Sequence, residues 1–172
     1  YFSPFYKTDK PILAIQPHGG PEGLGYQYSW TRDIPTPTVN EVLEYYKESH
    51  TIIHIKRQDQ IIYPDTLQAL DGFRSIAILL QLSDKRLLVD SFTQHMAAAL
   101  NLKSTVCWIS TKPEVFGYKL HDNVKAEPFT KEPDLTAAAY NPFHLTQDIH
   151  SIPYNDLNEV FTTDKIVTSL NS

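Results

Sequence analysis

Four short apolar or β-branched runs, separated by three stretches with helical spacing, constrain this chain more than any other feature. Ile12-Leu13-Ala14-Ile15 lies between Pro11 and Pro17 and reads as a strand buried on both faces. Thr51 to Ile55 is β-branched and apolar, and so reads as a second strand extending to about Lys56. Arg86 to Asp90 gives a strand ending on an acid, and Thr105 to Ile109 gives another. Between them, Val39, Val42, Leu43 and Tyr46 recur at helical spacing after Thr36-Pro37-Thr38, a start with proline in its first turn; this helix is expected to end near Ser49. Phe73 to Leu82 places Ile76, Leu79 and Leu80 on one helical face. Phe92 to Leu100 is a small-residue helix with Ser91 placed to cap it. Strands alternating with helices over short connections predict parallel βαβ units, that is, an α/β fold with a Rossmann-like, doubly wound parallel sheet.

The pattern weakens after Pro113. Prolines at 113, 128, 133, 142 and 153 interrupt it, and two short helices are expected at Asn155 to Phe161 and Asp164 to Leu170. The organisation expected is a lead-in over 1–10, a ligand-binding domain over 11–120, and an irregular extension over 121–172. The 172 residues suit one ordinary domain, and 41% hydrophobic with 12% aromatic residues is enough for a real core. With 15 Lys+Arg against 20 Asp+Glu, the net charge of −5 argues against a surface that tracks nucleic acid or an anionic membrane. A single cysteine excludes an intrachain disulfide and a cysteine-built zinc site. No apolar run reaches the length of a transmembrane segment, and the polar, tyrosine-rich start does not read as a signal peptide.

Two places can carry chemistry. Of six glycines, four fall between Gly19 and Gly25, directly after the first strand. In open α/β sheets ligands sit beyond the carboxyl ends of strands, where glycines let backbone N–H groups approach an oxyanion. The spacing is neither G-x-G-x-x-G nor a Walker A loop. A ligand loop and a plain flexible turn both fit it. The second place is Asp90-Ser91-Phe92-Thr93-Gln94-His95, a strand-to-helix junction whose helix dipole suits a diphosphate, although an ordinary capped helix reads the same way.

The stretch from Leu88 to Leu100, with Lys103 to Ile109 after it, resembles the donor-binding motif of family 9, heptosyltransferase-like glycosyltransferases, D-S-G-x-x-H-x-A-A-A-L-G-x-P-x-V. The glycine-rich turn and Ser29-Trp30-Thr31-Arg32-Asp33-Ile34-Pro35 are similar to that family's phosphate loop and K-x-W-P stretch. The resemblance covers roughly residues 11 to 120. It implies the C-terminal, donor-binding half of a GT-B fold, with Asp90, Ser91, Phe92, Thr93 and His95 facing the diphosphate of a nucleotide-diphosphate sugar. Gly19 and Gly20 would line the opposing loop, and Arg32 would balance charge. Phe92 stands where the motif has glycine, Ser29 where it has a basic residue, and Ile109-Ser110-Thr111 where it has G-x-T. The resemblance implies metal-independent, inverting sugar transfer to a surface glycan of lipopolysaccharide or capsule type. It also implies a cytoplasmic site, peripheral to the membrane through the other half.

No cofactor and no catalytic residue are expected in this chain, because the family's catalytic carboxylate lies in the N-terminal, acceptor-binding half. That half would be encoded in the same gene or supplied as a separate chain. The competing reading is a non-catalytic binding or interaction domain that kept the fold and lost the donor site. Tyr26, Tyr28 and Trp30 could stack on a base or sugar, or simply anchor the loop. His50 and His54, four residues apart on a strand, lie about 13 Å from each other, too far to share a metal. Cys107, mid-strand beside Trp108, reads as an inert core thiol. His121 and Asp122 fit either a position near the cleft or a turn.

Overall fold

A computed structural model describes residues 8–19, 31–69, 72–132 and 152–172. In chain order these form β1 (Ile12–Ile15), α1 (Thr36–Tyr46), β2 (Thr51–Ile55), β3 (Leu67–Ala69), α2 (Phe73–Leu82), β4 (Lys85–Val89), α3 (Phe92–Ala99), β5 (Thr105–Trp108), α4 (Pro113–Phe116), β6 (Asp122–Lys125), a 3-10 turn (Leu157–Glu159) and α5 (Thr163–Leu170). The strands make one six-stranded sheet in the order β3-β2-β1-β4-β5-β6, with each neighbouring pair parallel. This is the Rossmann-like doubly wound arrangement, with its strand order reversing between β1 and β4.

Alternation along the central strands explains the two layers. Leu13 and Ile15 of β1, Leu87 and Val89 of β4, and Cys107 of β5 enter one core with Val39, Val42, Leu43 and Tyr46 of α1 and Ile166 and Leu170 of α5. Ile12, Ala14, Leu88, Val106 and Trp108 point the other way, onto Ile76, Leu79 and Leu80 of α2 and Ala97 of α3. Both faces of β1, β4 and β5 are therefore buried, which is why these strands read as unbroken apolar runs. Asn101, just after α3, has φ 57°, the left-handed conformation that asparagine tolerates, and turns the chain towards β5.

The boundaries differ from expectation in specific ways. β4 ends at Val89, so Asp90 lies past the strand. α1 stops at Tyr46, three residues short of Ser49. β3, α4 and β6 carry no apolar run and were not expected. The sheet continues past residue 120: residues 122–125, expected within an irregular extension, pair with β5 as the edge strand. Of the two C-terminal helices, the second is α5, which packs on α1, β4, β5 and β6. The first is only the short turn at Leu157–Glu159, opened by an Asp156/Glu159 capping box.

Candidate functional site

The carboxyl ends of β1, β2 and β4 meet at the point where strand order reverses. β1 runs into Gln16, Pro17, His18 and Gly19, and the chain returns at Thr31 to lie alongside, with the Ile34 N–H bonded to the Pro17 carbonyl (2.9 Å). The buried Asp33 carboxylate fixes this turn. Its Oδ1 accepts from the Gly19 N–H (2.8 Å), and its Oδ2 lies 3.3 Å from His18 Nδ1. His18 Nε2 is 2.9 Å from the Tyr63 hydroxyl, and the two rings stack at an interplanar angle of 2°. Burial pushes the Tyr63 phenol up to about 12, opposed by a hydrogen bond with Thr36 and reinforced by the Asp33 charge.

Gly19 lets Arg32 pack closely here. A Cβ on it would stand 2.8 Å from Arg32 Cδ and 3.4 Å from the Asp90 carbonyl oxygen. The Arg32 guanidinium in turn donates to the Gly19 carbonyl (3.3 Å). Across the reversal point, the Gln16 amide nitrogen donates to Ser91 Oγ (3.2 Å), while the Thr93 hydroxyl donates to Gln16 Oε1. Ser91, expected to cap α3, accepts from Gln16 instead, and its side chain makes no cap hydrogen bond to the helix. α2 likewise starts at Gly72 without a side-chain cap. Neither helix carries an acidic residue in its first turn, so two positive helix ends open on the same side of the sheet.

A cleft of about 700 Å³ lies between these elements, lined by Gln16, Gly19, Arg32, Lys56, Arg57 and Ser91 together with glutamines, two isoleucines, Gly72, Phe73 and Phe92. Among the described residues, no aspartate or glutamate lines it. Lys56 is only 6% exposed; its ammonium donates to the Arg57 carbonyl (2.6 Å), and no carboxylate among the described residues pairs with it. A cation taken this far out of water is costly unless an anion faces it.

Of the residues expected from sequence, Gly19, Arg32, Ser91 and Phe92 meet at this cleft. Asp90 contributes its backbone, beside Gly19. Thr93 is fully buried behind the wall and braces Gln16. His95 is not among the lining residues: it is exposed and shares a hydrogen bond with the Tyr118 hydroxyl (3.0 Å). Gly20, Ser29 and the aromatic trio Tyr26, Tyr28 and Trp30 lie outside the described residues. His121 and Asp122 sit at the amino end of β6, opposite the cleft, where His121 contacts the Gln94 carbonyl (3.0 Å) and Asp122 pairs with Lys103 (2.9 Å). Cys107 is buried, and burial pushes its thiol up. Sequence reasoning missed Lys56, Arg57 and Phe73; the signal for them was their place just past β2 and at the start of α2, the same end of the sheet as the glycine turn. Among the described residues no group of three or more His, Cys, Asp or Glu could hold a metal, and no helix is long and apolar enough to cross a membrane.

No protein-family model and no curated protein matches the chain. Solved structures do. The chain is similar to Escherichia coli ADP-heptose lipopolysaccharide heptosyltransferase II, with a TM-score of 0.56 and 13% identity over 72% of this chain and 41% of that one. The fold is heptosyltransferase-like. Escherichia coli heptosyltransferase WaaC, solved with ADP, gives 0.54 and 15% over 70% of this chain and 39% of its own. A glycosyl transferase family 9 protein from Veillonella parvula gives 0.58 and 10% over 95% of this chain and 46% of its own. The chain thus spans less than half the length of each of these structures.

Proposed function

We propose that the chain is the donor-binding portion of a glycosyltransferase and that its cleft takes a nucleotide-diphosphate sugar. The observation that carries this is Lys56, a nearly buried ammonium with no carboxylate partner among the described residues, facing a cleft that also holds Arg32 and Arg57. In a chain of net charge −5, a cleft lined by Arg32, Lys56 and Arg57, the last paired with Asp59 (3.3 Å), and by no carboxylate among the described residues favours an anionic ligand. The uncapped start of α2 and the Gly19 turn add backbone donors of the kind that oxyanions use.

The chemistry assigned to this portion is leaving-group stabilisation. As the glycosidic bond to the donor phosphate breaks, negative charge grows on the diphosphate, and fixed cations and dipoles stabilise it. Arg32 and Lys56 are placed for that role, Arg57 supplements them, and Gly19 and Ser91 allow close approach. Among the described residues, none lining the cleft is suited to take the acceptor hydroxyl proton. The base and the glycan acceptor, of lipopolysaccharide or capsule type, belong in this reading to an N-terminal acceptor-binding half, with inversion at the sugar and a cytoplasmic location. The alternative, a domain that kept the fold and lost the ligand, rests on Phe92 in place of the motif glycine. Against it, Phe92 lines a cleft of about 700 Å³ rather than filling it.

Calorimetric titration with a panel of ADP-, UDP- and GDP-sugars tests the proposal. Binding is expected, with Arg32→Ala and Lys56→Met each weakening it by about tenfold or more, the size of a lost charge-assisted contact. Absence of binding across the panel refutes the donor reading and favours the alternative.

A further inference from the structure

The two walls of the cleft differ in chemistry. One is cationic, built by Gly19, Arg32 and Lys56. The other is aromatic: Phe73 and Phe92 open α2 and α3, and both line the cleft. Their rings stand edge to face, with centroids 5.3 Å apart and an interplanar angle of 82°. Phe73 is 70% exposed and Phe92 37%. Large apolar side chains left this open cost hydration free energy in the unliganded chain, and two such rings touching each other at the mouth of a polar cleft form a preformed stacking surface. Each is the first residue of its helix, so the parallel topology that brings the two helix starts together also brings the rings together.

Phe92 has a second consequence. A glycine at the start of α3 would let a phosphate sit directly on the backbone there, whereas a phenyl ring occupies that approach. The anion is then left to the Gly19, Arg32 and Lys56 wall, and the ring offers its π-face to whatever adjoins the anion.

We propose that Phe73 and Phe92 form a nucleobase platform. The base of a nucleoside diphosphate stacks against this pair while its diphosphate lies along Arg32 and Lys56. The inference rests on the donor-binding reading and adds to it the residues that hold the base and the direction in which the ligand lies. Base–aromatic stacking is sequence-tolerant and strongest for the larger π-surface, so purine diphosphates should bind more tightly than pyrimidine ones.

The test is calorimetry of the full chain with ADP, UDP and inorganic pyrophosphate, the last carrying the anion without a base. Phe73→Ala and Phe92→Ala are each expected to weaken ADP about tenfold and to leave pyrophosphate within about twofold. Phe73→Tyr should restore ADP binding, since it keeps the π-face. Lys56→Met should weaken all three ligands together. Thermal unfolding of each variant shows whether the fold is retained, and the pyrophosphate titration shows whether the anion wall is intact. Equal losses on ADP and pyrophosphate, or ADP affinity unchanged in both alanine variants, overturn the aromatic assignment and leave the donor reading standing. If the unaltered chain binds neither ADP nor pyrophosphate, the donor reading fails, and this inference with it.

Discussion

His54 offers a sharp test of how the carboxyl end of β2 is built. Its side chain is fully buried on the α1 side of the sheet, its ring centroid 5.2 Å from Tyr63 and 6.3 Å from His18, and neither ring nitrogen has a hydrogen-bond partner among the described residues. Burial, aided by the nearby His18 and Lys56, lowers its pKa from 6.5 to about 3. The folded chain therefore holds a neutral imidazole where the unfolded chain takes up a proton below pH 6.5. Stability is at its full value above that pH and falls as the pH drops towards 3. A gap of about 3.5 pH units is worth about 5 kcal/mol at the acid limit, and about 2 kcal/mol of this has been lost by pH 5. Urea unfolding at pH 8, 7, 6 and 5, on the native chain and on His54→Leu, measures it. His50 and His121, both also lowered by burial, steepen the acid side in both proteins, so the difference between the two curves isolates His54. The native chain should lose about 2 kcal/mol more than the variant between pH 8 and pH 5. At pH 8 the variant should be close to the native chain or more stable, because leucine replaces a ring whose nitrogens are unsatisfied. Parallel pH curves would refute the assignment of a buried neutral His54.

Two glycine substitutions should separate binding from stability. At Gly19→Ala the only contact under 3.0 Å is the flexible Arg32 side chain, so stability should change by less than about 1 kcal/mol while pyrophosphate binding falls several-fold as the guanidinium is displaced. Unchanged pyrophosphate affinity in calorimetry would show that Arg32 does not hold the anion. At Gly117→Ala the new Cβ would lie 2.7 Å from the Pro113 carbonyl oxygen and 3.0 Å from its Cα, both backbone, so α4 must shift. A loss of about 2 kcal/mol in urea unfolding, with ligand affinity retained, is expected there; no loss would mean that α4 moves freely.

What the sequence shows and what it hides follow from the same topology. β1, β2, β4 and β5 are legible because helices cover both their faces and each had to be an apolar run. β6 has no such need at the sheet edge, and Asp122, Asn123 and Lys125 leave only Val124 to betray it. β3 is three residues long with Leu67 and Gln68 exposed, too short to show any period. The cleft divides along the same line. Gly19, Ser91 and Phe92 could be found because each adjoins a legible strand end bearing a recognisable motif. Lys56 and Phe73 carry no motif: the sheet topology brings them to the reversal point, 37 and 54 residues from Gly19 and 35 and 18 from Ser91 in the chain. His54 and Lys56, two positions apart, then share one side of β2 as its backbone leaves the sheet. A protonated imidazole there would add a second buried cation beside an ammonium that no carboxylate among the described residues pairs with. Keeping the histidine neutral spares Lys56 a second cation at its side, and Lys56 lines the cleft.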